Sequence, residues 1–349
     1  MRKPLRILLT ASGCPGAATM IRMLRENSER DVTIIGVDSR NEAIGRFMTD
    51  RFYQVPPAHS PDYIPTMLEI AKTESPDVLL PQSSYEVPEL ARHKDEFERL
   101  GIPVLVSDPE PIDRCVDKAR MYQVLEDVDI PKPRVLHPKT LDEFVEGAQL
   151  LGYPEAAVCF KPPVSKGGRG FRILSEHVDE ADLLLNERPN NLFMTLKHFV
   201  DIFSRAGEFP RLLLMEYVEG REFTVDVLAD AGEILLGMTK TRDAINTGLA
   251  MSFLTVSRPD LERYAKRILQ AIPLTYFANI QFKGDMLLEI NPRVSTFVYQ
   301  DDLILPYLGI KYALHEVDRA ELNALHGRID YTRRTIRYYD QVFWNEEAR

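Results

Sequence analysis

The hydrophobic pattern of the N-terminal third of the chain alternates between short apolar runs and longer amphipathic stretches. The apolar runs, which predict strands, are residues 6–10, 32–37, 52–55, 77–81 and 104–106. The amphipathic stretches, which predict helices, are residues 17–26, 61–74 and 86–100. Just beyond this third of the chain, residues 113–126 predict one further amphipathic helix. Strands that alternate with helices form a parallel sheet covered on both faces. The pattern therefore predicts a doubly wound α/β domain over residues 1–111.

Polar residues follow the predicted strands of this domain, where parallel sheets bind their ligands. These residues are Ser12, Gly13, Asp38, Gln82, Ser83, Ser84 and Glu86. We expect them to form one wall of a substrate site. The first loop, Gly13-Cys-Pro-Gly16, differs from the G-x-G-x-x-G turn of dinucleotide-binding domains, although Asp38 ends the second strand. A structural turn or a contact with a small substrate is favoured over the cofactor site of a dehydrogenase.

A glycine-rich hairpin follows a later predicted strand, residues 156–161, which ends in Lys161. The loop residues that suit a phosphate are Lys166, Gly167, Gly168 and Arg169. Glycine lets backbone N–H groups close on a phosphate, and the lysines supply positive charge. The loop is not of the G-x-x-x-x-G-K-[ST] type, because a strand rather than a helix follows it. We interpret it as a lid over phosphate groups, and a mobile basic hairpin is the alternative.

An apolar strand, a tight turn and a second strand with alternating apolar positions come next. The first strand ends in Glu216, Tyr217 and Val218, whose backbone groups can pair with the edge of an adenine ring. Glu222 begins the second strand and can accept hydrogen bonds from ribose hydroxyls. This unit therefore predicts the nucleoside part of a nucleotide site.

A hairpin over residues 278–291 carries the strongest chemical signal. On its return strand Glu289 and Asn291 are two residues apart, so both side chains point to one face. A carboxylate and an amide oxygen side by side form half of a magnesium site, and Arg293 just beyond them is a cation for phosphate. A surface hairpin that faces water is the alternative.

Gln281 on the first strand of the hairpin is a third candidate ligand, and its contribution depends on register. A two-residue Gly284-Asp285 loop places Gln281 opposite Leu288, whose side chain is expected in the core. A three-residue loop with a bulge places Gln281 opposite Glu289. If Gln281 is a ligand, we therefore expect the longer loop.

Two other segments have little periodicity. Residues 239–253 have too many polar groups for a core, and we predict a loop over the active site in which Lys240 and Arg242 face a substrate carboxylate or phosphate. The alternative is a solvated connector. The C-terminal segment, residues 331–349, is predicted to pack on the body of the protein or on a second subunit.

Composition excludes several classes. The 349 residues are too many for one compact core, so two or three domains are expected. A net charge of −10 argues against a general nucleic-acid binder. Three separated cysteines show neither a disulfide framework nor metal-ligand spacing, which indicates a reducing compartment. The N-terminal apolar run is too short for a signal sequence or a membrane span, so we expect a cytoplasmic protein with no membrane partner.

Taken together, these motifs resemble an ATP-grasp protein. The resemblance rests on Lys118 after an aspartate, Lys161 with the SKGGRG loop, LLLMEYVEGREFTVDVL and ANIQF…LLEINPR. It is similar in particular to the branch of the carbamoyl-phosphate-synthase large subunit, which includes stand-alone amino-acid ligases. It implies three domains, an N-terminal doubly wound domain (1–111), a lid domain (112–215) and a C-terminal catalytic domain (216–349) in an α/β and α+β arrangement.

The resemblance also implies a role for each candidate residue. ATP is expected between the lid and the C-terminal domain, with Mg²⁺ or Mn²⁺ on Gln281, Glu289 and Asn291 and with Arg293, Lys161 and Arg242 as catalytic cations. The residues expected to hold the nucleotide are Lys118, Lys161, Lys166, Gly167, Gly168, Glu216, Tyr217, Val218 and Glu222.

The implied activity is that of an ATP-dependent carboxylate–amine ligase. Phosphorylation gives a carboxylate a leaving group, and an amine then attacks the acyl-phosphate. The expected substrates are a small-molecule carboxylate and amine, with an amino acid among them, and the chain is a candidate homodimer. The alternatives are a carboxylase or carboxylate-phosphorylating enzyme of the same fold, and a nucleotide-binding protein without turnover.

Overall fold

The computed structural model describes residues 2–165, 167–186, 192–246, 249–295 and 299–345. Three sheets follow one another along the chain, and each gathers its strands from one part of the sequence. None of the described helices is both long and apolar enough to span a bilayer.

The first sheet is parallel and lies between helices, as the hydrophobic pattern predicts. Its elements are β1 (Leu5–Leu9), α1 (Ala17–Arg25), β2 (Val32–Asp38), α2 (Gly45–Met48), β3 (Arg51–Gln54), α3 (Tyr63–Glu74), β4 (Val78–Leu80), α4 (Val87–Arg92) and α5 (Lys94–Glu98). The strand order is β3-β2-β1-β4. Ile7 and Leu9 of β1 belong to the same buried cluster as α1, whereas Leu8 belongs to the cluster of α3 and α4. Core on both faces confirms the doubly wound prediction.

The second sheet forms a small α+β unit. Its elements are α6 (Pro109–Val116), α7 (Lys118–Val124), β5 (Val135–Leu136), α8 (Leu141–Leu150), β6 (Val158–Lys161), β7 (Arg172–Leu174), α9 (Glu180–Asn186), β8 (Phe193–Met194), α10 (Leu196–Phe203) and β9 (Leu213–Glu216). The strand order is β5-β9-β6-β7-β8. Phe144 and Phe199 stack 3.9 Å apart under one face, while Cys159 and Met215 face α7 across the other. Cys159 is therefore a buried core residue.

The third sheet is antiparallel and carries the C-terminal part of the chain. Its elements are β10 (Glu222–Asp230), β11 (Glu233–Thr241), β12 (Asp243–Asn246), β13 (Leu249–Val256), α11 (Pro259–Ala271), β14 (Tyr276–Lys283), β15 (Met286–Asn291), α12 (Leu305–Ala313), α13 (Arg319–Ala324), a 3-10 helix (Leu325–Arg328) and β16 (Arg334–Ile336). The order is β12-β13-β11-β10-β14-β15, with β16 beside β13.

The predicted loop over residues 239–253 was wrong. The described residues of this region form the end of β11, the strand β12 and part of β13. The polar residues of this region suggested a loop, but in the structure several of them are buried in a sheet whose interior contains other polar groups. Thr239, Lys240 and Thr241 are all fully buried.

The described part of the C-terminal segment packs on the body of the protein. β16 pairs with β13, and the N–H of Arg337 donates to the carbonyl of Met251 over 2.7 Å. Further on, Trp344 stacks on Phe47 of α2 with ring centres 4.5 Å apart. The segment therefore ties the third sheet to the first.

Candidate active site

Oxygen-bearing side chains lie in cross-strand rows on one face of the third sheet. Gln281 of β14 is directly opposite Glu289 of β15, and Asn279 is opposite Asn291. Asp226 of β10 is opposite Asn279 on its other side. Because directly opposed side chains point to the same face, the three predicted metal ligands are brought together.

The register arises differently from the sequence-based expectation. The turn is the two-residue Gly284-Asp285 loop, with Lys283 opposite Met286. The longer loop, which we expected if Gln281 is a ligand, does not form. A bulge at Leu288 supplies the extra residue, and it shifts the register between Phe282 and Gln281. The bulge places Leu287 fully in the core and leaves Leu288 only partly buried.

Helix α7 brings Lys118 to the carboxylate of Glu289. The sequence predicted one helix over residues 113–126, but the chain breaks at Asp117, whose carboxylate accepts hydrogen bonds from the N–H groups of Ala119 and Arg120. The break places Lys118 at the start of α7. Its Nζ donates to the carbonyl of Ser165 over 3.0 Å and lies 3.7 Å from Glu289 Oε2.

The charges around Glu289 keep it ionised. Burial raises the pKa of this carboxyl, but Lys118, Lys161 and a 3.0 Å hydrogen bond from Asn291 Nδ2 outweigh burial and hold the pKa below its usual value. Burial lowers the pKa of the Lys161 ammonium, which Glu289 partly offsets. The site therefore presents one carboxylate between two lysines.

Arg293 connects this face to the N-terminal domain. Its Nε donates to Ser84 Oγ over 2.9 Å, and its Nη1 donates to the carbonyl of Val294 over 2.8 Å. Burial lowers the pKa of the guanidinium, while Asp226 and Glu289 raise it. The contact with Ser84 joins the predicted catalytic arginine to the predicted substrate wall.

Arg242 and Glu222, for which the sequence predicted contacts with different ligands, are paired with each other. Arg242 Nε donates to Glu222 Oε2 over 3.1 Å, and the N–H of Arg242 donates to the carbonyl of Glu222 over 2.9 Å. Arg242 is also 9% exposed. The guanidinium of Arg242 is therefore already part of an ion pair in this structure.

The predicted adenine-binding strand has its side chains engaged. Arg134 Nε donates to Glu216 Oε1 over 2.5 Å, which helps to keep the pKa of that carboxyl low against the opposing effect of burial. Lys283 Nζ donates to Tyr217 OH over 3.2 Å and lies 4.6 Å from the ring centre. Val218 follows in irregular backbone and is partly buried. The side chains of Glu216 and Tyr217 therefore already have partners within the protein, and the contact of this backbone with adenine stays a prediction.

The glycine-rich loop connects β6 to β7 as a hairpin. Gly167, Gly168 and Gly170 have φ angles of +62°, +71° and +76°, which side-chain-bearing residues rarely adopt. Lys166, a predicted phosphate contact, lies outside the described residues. Arg169 Nη1 donates to Tyr85 OH over 3.2 Å. The loop therefore reaches the N-terminal domain.

Replacing Gly170 by alanine is expected to weaken ATP binding. A Cβ at this position would lie 2.6 Å from Pro162 Cδ, in addition to the left-handed backbone. A cost of about 1–2 kcal/mol in the loop predicts an increase in the KM for ATP of roughly five- to thirtyfold. The matched control is Gly207→Ala, where nothing lies within 4 Å of the new Cβ. Equal KM values for the two variants would contradict a closing role for the loop.

The predicted substrate wall is a hydrogen-bonded set of strand-end residues. Asp38 Oδ2 accepts from the N–H of Gly13 over 2.8 Å, and Glu86 Oε2 accepts from Thr10 Oγ1 over 2.6 Å. Gln82 Nε2 donates to the carbonyl of Thr10 over 3.0 Å. Burial, and to a smaller extent Asp38, raise the pKa of Glu86 to about 7 although Thr10 lowers it.

Glu86→Gln is expected to change how stability depends on pH. The pKa of Glu86 in the folded protein, about 7, is above its ordinary value of 4.5. As the pH rises through this window the unfolded chain releases the proton while the folded chain retains it, so the wild type loses stability. Glutamine carries no such proton. The free energy of unfolding of the variant relative to the wild type, measured by denaturant titration, is expected to be higher at pH 8 than at pH 5. The same difference between the two proteins at both pH values would contradict the prediction.

A buried polar network lies beside the face that carries Gln281, Glu289 and Asn291, which is the predicted metal face, and the sequence pattern did not reveal most of this network. Asp226 accepts hydrogen bonds from Lys240 Nζ and from Asn279 Nδ2, and its Oδ2 lies 2.5 Å from the hydroxyl of Tyr299. Lys240 Nζ also lies 3.4 Å from Ser295 Oγ. Asp226 stands between two valines in an apolar strand, and a lone carboxylate in such a strand is the signal that could have revealed the network.

Two family models match the chain. The model described as "ATP-grasp in the biosynthetic pathway with Ter operon" matches residues 208–335, which include the metal face, and the model described as "PylC-like, N-terminal domain" matches residues 7–105. The chain contains an ATP-grasp domain. The ATP-grasp match confirms the resemblance inferred from the sequence motifs.

Relatives of the ATP-grasp domain extend this result. The large chain of carbamoyl phosphate synthase from Rubrobacter xylanophilus is 32% identical over 247 residues, which are 66% of this chain and 21% of that protein. The chain spans about a fifth of the length of the curated relatives it matches. This similarity agrees with the branch that the motifs indicated.

Solved structures share the ATP-grasp fold. Pyruvate carboxylase of Rhizobium etli, as a T882A variant with acetyl coenzyme A, has a TM-score of 0.66 and 18% identity over 95% of this chain and 30% of that chain. The biotin carboxylase domain dimer of 2-oxoglutarate carboxylase from Hydrogenobacter thermophilus, with MgADP, ADP and bicarbonate, has a TM-score of 0.63 and 18% identity over 91% and 71%. At this identity they show the fold.

Proposed function

We propose that the protein is an ATP- and magnesium-dependent carboxylate–amine ligase that forms ADP and acts through an acyl-phosphate, with an amino acid among its substrates. The observation that carries the proposal is the row of Gln281 opposite Glu289, with Asn291 beside them and Lys118 within 3.7 Å of the carboxylate. In a hairpin that simply faces water, Glu289 would not lie beside lysines from another part of the chain.

The donor set fits Mg²⁺ or Mn²⁺. Glu289, Asn291 and Gln281 offer one carboxylate and two amide oxygens on one face, which are hard ligands of the type that Mg²⁺ prefers. Among the described residues no three His, Cys, Asp or Glu side chains form a metal-binding group, so the proposed site depends on the amide oxygens. When bound, the ion neutralises charge on the phosphates and orients them.

The cations around the metal face suit phosphoryl transfer between two anions. Lys118 and Lys161 would bind phosphate oxygens of ATP, and the loop that contains Gly167 and Gly168 would exclude water over them. Arg293, held by Ser84, would orient the carboxylate and then the acyl-phosphate. Arg242 would add a further positive charge, for which it would leave its ion pair with Glu222 and bind the substrate instead.

The nucleoside would lie on the strand that ends in Glu216. The backbone at Glu216–Val218 would pair with adenine, and Tyr217 would add an aromatic edge beside it. Glu222 would accept from the ribose, which requires that its pairing with Arg242 loosen when ATP binds. We also propose the division into domains at residues 1–111, 112–215 and 216–349.

The wall of strand-end residues would hold the second substrate. It offers a carboxylate at Asp38 and a carboxyl group at Glu86, whose ionised form a protonated amine would favour, and it is joined to Arg293 through Ser84. An amine with a carboxylate of its own, such as an amino acid, matches this pairing of opposite charges. We infer that the protein acts in the cytoplasm on small molecules, and that it forms a homodimer, as the neighbour from Hydrogenobacter thermophilus does.

The proposal is tested by ADP release from ATP and magnesium across amino acids, offered singly and in pairs, with bicarbonate as a separate arm. We expect release that requires one carboxylate and one amine together. Release that requires bicarbonate but no amine would instead support a carboxylase, which the carboxylase neighbours favour. ATP binding without release in any arm would support the non-catalytic alternative.

A further inference from the structure

A cleft lies against α7, and neither Lys118 nor Glu289 is among the residues that line it. Its volume is about 790 Å³, within the range of roughly 300–1,000 Å³ that small-molecule sites occupy. Its walls are α7, the segment around β5 and the start of β9. Neither Lys161 nor any of the proposed metal ligands lines it. It is therefore separate from the proposed active site.

The cleft is basic in a protein whose net charge is −10. The side chains with positive or titratable positive charge that line it are Arg120, Lys132, His137, Lys139 and Arg211. The one carboxylate in the lining is Glu126. Cations that converge on a concave surface create a positive potential there, since low-dielectric walls focus the field. The local charge of the cleft is therefore opposite in sign to the net charge of the chain.

The uncharged part of the lining is rigid and partly apolar. It includes Tyr122, Pro133, Pro138 and Leu212. Two prolines fix the backbone on one side, and Tyr122 on the other side is anchored through its hydroxyl, which lies 3.1 Å from the carbonyls of Leu287 and Leu288. A preformed wall of this kind costs a ligand little ordering entropy.

We propose that this cleft is a binding site for a small molecule that carries two or more phosphate or carboxylate charges. Arg120 and Lys139 supply exposed cations at the mouth, and Arg211 is held in place by a 2.9 Å ion pair with Asp117. His137 is exposed at the same cleft, where the charges of Arg211 and Asp117 act on it. A monovalent anion would leave most of this charge unused.

The site communicates with the lid through Pro163. Pro163 lines the cleft, and its carbonyl accepts a 2.9 Å hydrogen bond from the N–H of Lys118. Two residues later, the carbonyl of Ser165 accepts from Lys118 Nζ. An anion in the cleft therefore contacts the segment that positions both the lid loop and a proposed phosphate-binding lysine, and we expect it to change the KM for ATP.

The titration of His137 provides a direct reading of the site. Burial lowers the pKa of this imidazole, Arg211 lowers it further and Asp117 raises it. An anion within a few ångströms favours the imidazolium, so the pKa of His137 should rise by about one unit. The C2-proton resonance is followed by NMR against pH, and it is assigned with His137→Gln. The probes are inorganic phosphate, for the phosphate class, and citrate, for the carboxylate class. The probe that raises the pKa of His137 more identifies the class of ligand.

Three variants make the test decisive. Arg120→Glu with Lys139→Glu is expected to abolish the shift, whereas Lys161→Met, which impairs the proposed active site alone, is expected to leave it intact. Lys139→Gln gives a smaller loss and serves if the double variant unfolds. No shift with either probe, or a shift that survives charge reversal, would overturn the proposal. Loss of the shift in Lys161→Met would assign it to the active site and overturn the proposal as well.

Discussion

Glu289→Gln is expected to lower ADP release from magnesium and ATP by at least about a hundredfold. The substitution keeps the shape of the side chain but removes the one carboxylate that faces Gln281 and neighbours Lys118. Without it the metal face holds amide oxygens alone, and the two lysines lose their counter-charge. We therefore also expect a higher magnesium concentration to be required for the residual activity.

The control for this prediction is Glu69→Gln, an exposed glutamate on α3. It changes the net charge equally and should leave ADP release unchanged. The free energy of unfolding of both variants is measured by denaturant titration, so that a folding defect is recognised. A Glu289→Gln enzyme with activity close to that of the wild type would show that the metal face is not the catalytic centre.

Lys240→Met is expected to lower the free energy of unfolding by about 3–5 kcal/mol. Lys240 is fully buried and pairs with Asp226, which is 1% exposed. Burial lowers the pKa of Lys240 to about 8 although Asp226 raises it, so the ammonium depends on its partner at neutral pH. Removing the lysine leaves a buried carboxylate that still accepts hydrogen bonds from Asn279 and Tyr299 but has lost its ion-pair partner.

A double-mutant cycle separates the loss of the charge partner from the loss of packing. Asp226→Asn combined with Lys240→Met should recover part of the lost stability, because no buried charge then remains. The matched surface control is Arg267→Met, which breaks an exposed pair with Asp129 and should cost less than about 1 kcal/mol. A loss in Lys240→Met no larger than that of the control would contradict the role assigned to the network.

The local patterns of this sequence predicted those parts of the fold in which periodicity and burial agree. The strands β1 and β2 are mainly apolar runs, so the sequence predicted them. Glu289 and Asn291 flank the buried Ile290, so the sequence predicted their common face. The break at Asp117 was missed because an aspartate inside an amphipathic stretch looks the same whether it faces solvent or caps a second helix.

The residues of the candidate site could be predicted where their spacing along one strand indicated a common face. The prediction failed where the contact joins residues of different strands. Lys240 and Thr241 are polar residues that fold into a buried strand because Asp226, on the neighbouring strand, satisfies the lysine. Periodicity within one segment contains no information about such a partner. The register of Gln281 likewise depended on a bulge at Leu288 that no turn signal specifies.

The most direct test of the central claim follows the oxygen atoms of the carboxylate substrate. The substrate pair that releases ADP is used with a carboxylate labelled with oxygen-18, and the released phosphate is examined by mass spectrometry. An acyl-phosphate requires one labelled oxygen to leave with the phosphate, and we therefore expect this transfer in each turnover. Phosphate without label, or AMP and pyrophosphate in place of ADP, would contradict it.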